Sequence, residues 1–300
     1  MMIKYHKPVL LEEAVTGLNI RPDGIYVDVT FGGGGHSAAI LEQLNERGRL
    51  YGFDQDADAK ANRFSDDRFE FIEANFCYMK HFLKYHRVNF VNGILADFGV
   101  SSHQFDTAER GFSTRMDGRL DMRMNQAQEY DAYHVINTYE EEALSRIFFE
   151  YGELKNARRI AKKIVTERTK KPIESTSGLR AVIQNLIPER LENKILAQLF
   201  QAIRIEVNNE IEVLQSFLQQ AANLLMPGGR LVCISYHSQE DRWVKRFIQS
   251  GNFDGEITKD FYGNAIKPFI KIGKLVTPSS AEIKKNNRAR SAKMRIAEKQ

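Results

Sequence analysis

A glycine-rich turn preceded by a carboxylate is the first segment of the chain whose residue types could do chemistry. Asp28 ends an apolar, β-rich run, and Gly32-Gly-Gly-Gly35 then leads into a helical pattern. Glycines let the backbone approach a ligand closely, and a helix N-terminus presents free N–H groups. Asp54 ends the next β-rich run. An acid about 20 residues past such a turn is placed to bind ribose hydroxyls, so we expect a nucleoside-containing cofactor.

The order of the acid and the glycines bears on which cofactor binds. The pattern Gly33-x-Gly35-x-x-Ala38 matches the dinucleotide fingerprint, which would indicate NAD. Asp28, just before the glycines, would instead repel a pyrophosphate and attract a cation such as the amino group of a methionine moiety. S-adenosylmethionine carries that amine, a sulfonium and a ribose but no phosphate. The pattern therefore favours an S-adenosylmethionine-dependent methyltransferase, with an NAD-dependent dehydrogenase as the alternative.

Polar residues also follow the fourth β-rich run. Asp97 ends it, and Ser101, Ser102 and Gln104 come shortly afterwards. In an open α/β sheet the side chains at the carboxyl ends of strands face the ligand crevice. These residues could therefore orient the cofactor or an acceptor, although turn capping is the ordinary alternative for any single Ser or Asp.

Strand-like and helix-like residue patterns alternate along the first hundred residues, which implies βαβ units and a parallel sheet. The β-rich runs are 25–31, 50–53, 69–72 and 91–96, and the helical patterns between them are 37–47, 57–64 and 76–86. From about 105 to 205 only helical patterns occur, and strand texture returns at 230–236 and 269–276. We predict one discontinuous α/β domain, 1–104 and 207–300, interrupted by an all-helical insertion at 105–206. Two consecutive domains are the alternative.

The small net charge of +4 conceals two basic tracts. Segment 155–171 holds eight basic residues and one acid, and segment 281–300 holds seven basic residues and two acids. Clusters of this kind suit polyanion binding, because each neutralised phosphate releases a counterion. Solvated surface segments are the alternative interpretation.

Composition excludes several other classes of protein. The 42% hydrophobic content is that of a globular chain, not of a disordered one. Cys77 and Cys233 are too few for a disulfide framework or a Cys-rich zinc site. The apolar runs are too short to span a membrane, and no apolar segment follows Lys4 and Lys7 as it would in a secretory signal. We expect a soluble cytoplasmic protein.

Longer motifs run along nearly the whole chain. The most specific are Leu120-Asp-Met-Arg-Met124, Phe200-Gln-Ala-Ile-Arg204 and His237-Ser-Gln-Glu-Asp-Arg242. Others are His6-Lys-Pro-Val-Leu-Leu-Glu12, the segment from Tyr26 to Ser37, Asp97-Phe-Gly-Val-Ser-Ser-His-Gln104 and Asn287-Arg-Ala-Arg-Ser-Ala-Lys293. In this order they resemble the small-subunit (16S) rRNA cytosine-N4 methyltransferases of the RsmH/MraW family. Departures are small: His103 stands where the family usually has proline, Ala96 where it has leucine, and Leu154 where it has a second Glu.

The resemblance implies a Rossmann-like class I S-adenosylmethionine-dependent methyltransferase with an inserted helical domain. Its expected reaction is N4-methylation of a cytidine in the decoding region (P site) of 16S rRNA, free or within the small ribosomal subunit, and the resemblance implies no metal. The cofactor residues that it implies are Gly34, Gly35, His36, Asp54, Phe76, Asp97 and Gln104. The residue pattern by itself adds Asp28 and Gly32.

The two remaining roles are those of a proton acceptor and an RNA grip. Asp97 is the first candidate for the acceptor and His237 the second. The candidate rRNA contacts lie in the two basic tracts and are Arg158, Arg159, Lys162, Lys163, Arg288 and Arg290. A disordered basic tail is the alternative for the last two. A non-catalytic rRNA-binding assembly factor would be expected to have lost its cofactor residues, whereas Asp28, the glycines and Asp54 are all present.

Overall fold

A computed structural model describes residues 8–300, so His6 and Lys7 of the first motif lie outside the described residues. Its centre is a seven-stranded sheet of order β3-β2-β1-β4-β5-β7-β6. The strands are β1 Ile25–Asp28, β2 Arg49–Asp54, β3 Phe69–Glu73, β4 Val91–Asp97, β5 Leu225–Ser235, β6 Phe269–Val276 and β7 Lys293–Lys299. Strands β1 to β5 pair in parallel. Strand β7 is antiparallel and lies between β5 and β6.

The chain divides into two compact units. The first contains the sheet and comprises the described residues up to Gly99 together with Ile211–Gln300; the second is Val100–Glu210. The helices associated with the sheet are α1 Leu11–Leu18, α2 Gly35–Leu41, α3 Met79–Tyr85, α10 Glu210–Leu224, α11 Ser238–Ser250 and α12 Ser280–Lys285. The second unit thus interrupts the first in sequence, over a range close to the 105–206 that the helical patterns predict.

Alternate residues of the strands pack into two different cores. Val27, Ile94 and Cys233 join one apolar cluster together with residues of α3, α10 and α11. Tyr26, Leu95 and Val232 join the other, with residues of α1 and α2. Since successive side chains of a strand point to opposite faces, both faces of the sheet are covered by helices. This accounts for the nearly continuous apolar runs of the sequence.

The second unit is helical and has its own core. Its helices are α4 Ser102–Asp106, α5 Ala132–Thr138, α6 Glu141–Glu150, α7 Ala157–Arg168, α8 Thr176–Ile183 and α9 Glu192–Asn208. Ile147, Ile160, Leu179 and Ile203 are fully buried within it. Between Val100 and Glu210 the backbone forms no strand, only an isolated bridge of Arg119 with Ser175. The prediction of helical structure over this region is confirmed.

One predicted helix of the first unit is wrong. The segment predicted as a helix at 57–64 is a short 3-10 helix, Ala57–Asn62, begun by the Asp56 side chain, which accepts a hydrogen bond from the Asp58 N–H. Ala59 is the only buried residue of that segment. An amphipathic α-helix needs a wider apolar stripe than one alanine provides.

The C-terminal segment is also not the disordered tail that its basic composition allows. Arg288 and Arg290 lie exposed in a 3-10 helix, Asn287–Ser291, and β7 follows directly. Strand β7 pairs along both of its sides, and Met294 and Ala297 are fully buried. The charge pattern hides this strand because its half-buried Arg295 is paired with Asp241 of α11, with Nε and Oδ1 2.7 Å apart.

None of the helices that the structure describes is long and apolar enough to cross a membrane.

Met294→Ala tests whether the C-terminal segment is structural. Removing a fully buried side chain from a strand paired on both sides should lower the free energy of unfolding by about 2–5 kcal/mol. Chemical denaturation measures this change. Arg290→Ala, at an exposed position of the same segment, is the control and should stay within about 0.5 kcal/mol of the parent. Equal and small effects of both substitutions would contradict the central place of β7.

Candidate active site

Three carboxylates lie at the ends of neighbouring parallel strands. Asp28 ends β1, Asp54 ends β2 and Asp97 ends β4, and β1 pairs with both of the other strands. The carboxyl ends of parallel strands form the crevice of an open α/β sheet. The fold therefore places the three acids, which are far apart in sequence, along one edge of the first unit.

Asp28 is an internal residue of this edge. Its side chain is only 1% exposed. One carboxylate oxygen accepts a hydrogen bond from the Ser37 hydroxyl at 2.7 Å, and the other accepts one from the Thr30 N–H at 3.1 Å. Burial raises the pKa of the Asp28 carboxyl. A carboxylate committed in this way positions the turn and the start of α2, which differs from the direct attraction of a cofactor amine expected from the sequence.

The Thr30 side chain links Asp28 of β1 to Asp97 of β4. The Thr30 hydroxyl lies 3.4 Å from Asp28 Oδ1 and accepts a hydrogen bond from the Asp97 N–H at 2.7 Å. Asp28 and the backbone of Asp97 are therefore joined through one side chain. Thr30 and Ser37 were not predicted as site residues, although both are hydroxyl residues beside the glycine turn, where such side chains commonly bond to neighbouring polar groups.

The turn between β1 and α2 needs glycine for two reasons. Gly32 and Gly34 have φ values of 49° and 75°, which residues with a side chain rarely adopt. A Cβ on Gly34 would also stand 2.9 Å from the ring of Phe64. The Gly32 N–H donates to Asp54 Oδ2 at 2.8 Å, so the turn is tied to the end of β2. The predicted contacts of Gly32, Gly34 and Gly35 with a cofactor stay predictions.

Asp54 is half-buried and suited to hydroxyl recognition. Each of its oxygens accepts one backbone N–H, Oδ2 from Gly32 and Oδ1 from Asp56. A carboxylate oxygen can accept more than one hydrogen bond, so both retain capacity for ribose hydroxyls. Burial raises the pKa of Asp54 to about 6, and its backbone hydrogen bonds oppose that rise. These acceptor oxygens suit the hydroxyl groups of a ribose.

Asp97 is held by two aromatic side chains. The Tyr236 hydroxyl, at the end of β5, donates to Asp97 Oδ1 at 2.8 Å. His36 Nδ1 lies 3.9 Å from Asp97 Oδ2, and His36 Nε2 lies 3.1 Å from the Val9 carbonyl oxygen. Burial raises the pKa of Asp97 to about 6, with the charge of His36 opposing it. The hydrogen bond leaves Oδ2 available to a hydrogen donor, and Tyr236 is a site residue that sequence reasoning missed.

Phe76 and His237 occupy the neighbouring strand ends. Phe76 follows β3 and is half-buried, with its ring centroid 5.5 Å from that of Phe217. His237 follows β5, and its Nε2 lies 3.0 Å from Glu240 Oε1. Glu240 Oε2 in turn accepts from the Tyr236 N–H at 2.8 Å. Glu240, also missed from the sequence, therefore fixes the start of α11, and its carboxylate lies beside the imidazole of His237.

Gln104 belongs to the second unit. Its side chain oxygen accepts from the Ser101 N–H at 2.9 Å, and the Ser101 hydroxyl accepts from the Gln104 N–H at 3.2 Å. Together they form the capping box of α4, the turn-capping role that is the alternative for Ser101. The predicted contact of Gln104 with a cofactor stays a prediction.

The predicted RNA contacts of α7 differ in availability. Arg158, Arg159 and Lys162 are exposed. Lys163 is instead half-buried, and its ammonium lies 2.8 Å from Glu167 Oε1, which also pairs with Lys170 at 3.0 Å. The pairing leaves Lys163 less free to bind phosphate than its three neighbours.

Comparison with known proteins gives a consistent match. The model of the MraW methylase family matches residues 3–300. Ribosomal RNA small subunit methyltransferase H of Flavobacterium johnsoniae is 59% identical over 297 residues, covering 99% of this chain and 98% of that protein. The protein of the same description from Christiangramia forsetii is 58% identical over 299 residues, covering 100% and 99%. A solved structure of a putative rRNA-methylase from Clostridium thermocellum is 12% identical, with a TM-score of 0.45 and coverage of 100% and 98%.

The raised pKa of Asp54 gives a testable pH dependence. A ribose hydroxyl is expected to donate to the ionised Asp54 carboxylate, so affinity for S-adenosylhomocysteine should fall as pH drops below about 6. Each carboxylate that must be ionised for binding contributes a fall that approaches tenfold per pH unit. Calorimetric titration between pH 7.5 and 5 measures this dependence, with the melting temperature recorded at each pH. Asp54→Asn should bind more weakly at pH 7.5 and show a shallower profile, retaining only the contribution of Asp97. An affinity that stays constant over this pH range in the parent protein would refute the assignment.

Proposed function

The chain belongs to the MraW methylase family, and on that premise we propose that it methylates N4 of a cytidine in the decoding region (P site) of 16S rRNA. Family membership makes it a methyltransferase, and S-adenosylmethionine is its cofactor. The fold is the class I Rossmann-like sheet of such enzymes with an inserted helical unit. The observation that carries the proposal is Asp97, ionisable and hydrogen-bonded, on the same strand-end edge as Asp54 and the glycine turn.

When bound, S-adenosylmethionine supplies an electrophilic methyl group on its sulfonium. Asp54 accepts hydrogen bonds from the ribose hydroxyls, and the ring of Phe76 contacts the adenine. Gly34 and Gly35 let the backbone approach the methionine part closely. Asp28 acts indirectly, since its bonds to Ser37 and Thr30 hold the turn and Asp97 in place.

An exocyclic amine is a poor nucleophile because its lone pair is shared with the ring. Asp97 Oδ2 accepts a hydrogen bond from this amine and then takes its proton, while Oδ1 remains bound to Tyr236. With a pKa of about 6, Asp97 is mostly ionised at neutral pH and can serve as that acceptor. Alignment of the amine with the methyl–sulfur bond supplies much of the rate, since positioning is worth about 7–11 kcal/mol in favourable systems. His237, whose imidazole lies beside Glu240, is the second candidate acceptor.

The target base must be unstacked to reach such a site, which is easiest in a non-duplex region of RNA. Arg158, Arg159 and Lys162 of α7 provide exposed cations for the rRNA backbone, with Lys163 contributing less. Arg288 and Arg290 provide a second group of exposed cations. The partner is the small ribosomal subunit or its 16S rRNA, so we place the enzyme in the cytoplasm, and the chemistry requires no metal.

The two alternative functions, a dehydrogenase and a non-catalytic assembly factor, are not excluded to the same degree. The NAD-dependent dehydrogenase is excluded by membership of a methylase family, so the formal dinucleotide fingerprint was misleading. A non-catalytic assembly factor would not need Asp54 and Asp97 held in hydrogen-bonded, ionisable form, and this favours the enzyme. An activity measurement separates the two.

Mass spectrometry of 16S rRNA tests the substrate. Deleting the gene should remove one methyl group from a single decoding-region cytidine, and a plasmid copy of the parent should restore it. A plasmid encoding the Asp97→Ala protein should not. Unchanged methylation of that cytidine in the deletion strain would show that the proposed substrate is wrong.

Asp97→Asn tests the proton acceptor in vitro. The amide keeps the size of the carboxylate but is a far weaker base, so kcat should fall by about 10²–10⁴-fold. His237→Ala should have a smaller effect on kcat. Binding of S-adenosylhomocysteine is measured in parallel. If Asp97→Asn and Asp97→Ala both turned over normally and lost only cofactor affinity, Asp97 would be a binding residue and not the acceptor.

A further inference from the structure

Helix α3 and the residues around it carry an aromatic and basic surface that the proposed reaction does not use. We call it the α3 surface and define it by the side chains of Tyr78, Lys80, Lys84, Tyr85, Arg87 and Phe90. Tyr85 is 79% exposed, and Tyr78 and Phe90 are each 59% exposed. Single exposed apolar residues are common. Three large exposed aromatic rings within thirteen consecutive residues are an unusual concentration, and such concentrations mark interaction sites.

The charge of this surface has one sign. Between Glu73 and Asp97 the sequence contains no acidic residue, whereas Lys80, Lys84 and Arg87 are all exposed. Throughout residues 8–300 the structure shows no ion pair for any of these three cations. This differs from the situation of Lys163 and Lys170, which share Glu167. The three cations of the α3 surface thus keep their full capacity for an external anion.

The surface is built on a fixed support. Met79 and Leu83 are fully buried beneath α3. At its start, Gln220 of α10 accepts a hydrogen bond from the Lys80 N–H at 2.8 Å and donates one to the Cys77 carbonyl oxygen at 2.7 Å. At its end, the imidazole of His86 packs against Tyr51 of β2, with ring centroids 5.4 Å apart. The backbone that carries the exposed rings and cations is therefore fixed before any ligand arrives.

This combination of groups matches the chemistry of single-stranded nucleic acid. Aromatic rings stack with unpaired bases whatever their sequence, and interleaved cations follow the phosphate backbone. An acidic protein partner would engage the cations but would leave three rings without flat partners. We propose that the α3 surface binds a single-stranded stretch of the substrate RNA, with bases stacked on Tyr78, Tyr85 and Phe90 and phosphates paired with Lys80, Lys84 and Arg87. The choice of RNA as partner rests on the proposed function.

The position of the surface separates it from the reacting base. Phe76, just before α3, lies at the carboxyl ends of the parallel strands with Asp54 and Asp97, while Phe90 directly precedes β4 and so lies at their amino ends. The chain between them runs back along the sheet from the carboxyl ends to the amino ends of its strands. A strand of RNA on this surface therefore extends away from the target cytidine. Its contacts raise the affinity for RNA without taking part in methyl transfer.

Fluorescence anisotropy with a labelled decamer of uridylate tests the proposal, because this RNA has no cytidine to methylate. Tyr85→Ala combined with Phe90→Ala should weaken its binding by about 25-fold or more, because each of the two lost base stacks is worth about five- to hundredfold. Tyr85→Trp with Phe90→Tyr is the matched control and should retain affinity. Lys80→Ala with Lys84→Ala should reduce the slope of log affinity against log salt by about 1.4, at about 0.7 per phosphate contact, whereas Lys80→Arg with Lys84→Arg should keep it.

Two results would overturn the inference. One is equal decamer affinity of the parent and the Tyr85→Ala, Phe90→Ala protein. The other is a parent that binds no decamer but self-associates through these rings, seen as a dimer in sedimentation that the same double substitution abolishes. Binding of S-adenosylhomocysteine and methyl transfer to small subunits are measured separately on each variant. Failure of methyl transfer in the parent would count against the proposed function, whereas the decamer measurement would still test RNA binding by the α3 surface.

Discussion

The buried carboxylate of Asp28 is the interaction on which the rest of the site depends. A carboxyl group that is only 1% exposed needs hydrogen bonds to its oxygens, and Ser37 and Thr30 provide them. Ser37 belongs to α2 and Thr30 bonds the backbone of Asp97, so this one acid joins β1, α2 and β4. Loss of the carboxylate would disturb the turn and Asp97 together, because each partner would lose the same anchor.

The two more accessible acids of that edge have environments suited to work at neutral pH. Burial raises the pKa of both Asp54 and Asp97 to about 6, and the hydrogen bonds each accepts limit the rise. Both are thus ionised at pH 7 yet poorly solvated, and a hydrogen bond made to them is stronger than it would be in water. The same local arrangement suits both the ribose recognition proposed for Asp54 and the proton transfer proposed for Asp97.

Surface charge is divided in a way that the net value of +4 does not reveal. Some cations of the basic tracts are internally paired, as Lys163 is with Glu167 and Arg295 with Asp241. Others, such as Lys84 on α3 and Arg158 on α7, lie exposed and available to phosphate. Counting charges along the chain therefore overestimates the cations that α7 has available and overlooks those of α3, because pairing partners come from residues that are distant in sequence or one helical turn away.

The sequence by itself determined the parallel part of the sheet, the helical insertion and the glycine turn with Asp54 and Asp97, because strand patterns, helical periodicity and strand-end position are local properties of the chain. Its longer motifs indicated the family. It could not show that Asp28 is internal, since burial depends on which elements cover it. It missed Tyr236, which reaches Asp97 across 139 positions of sequence. It also missed β7, whose polar residues find partners only on α11 and β5. Those features exist only once the strands and helices have packed together, because the tertiary structure determines which polar groups become neighbours.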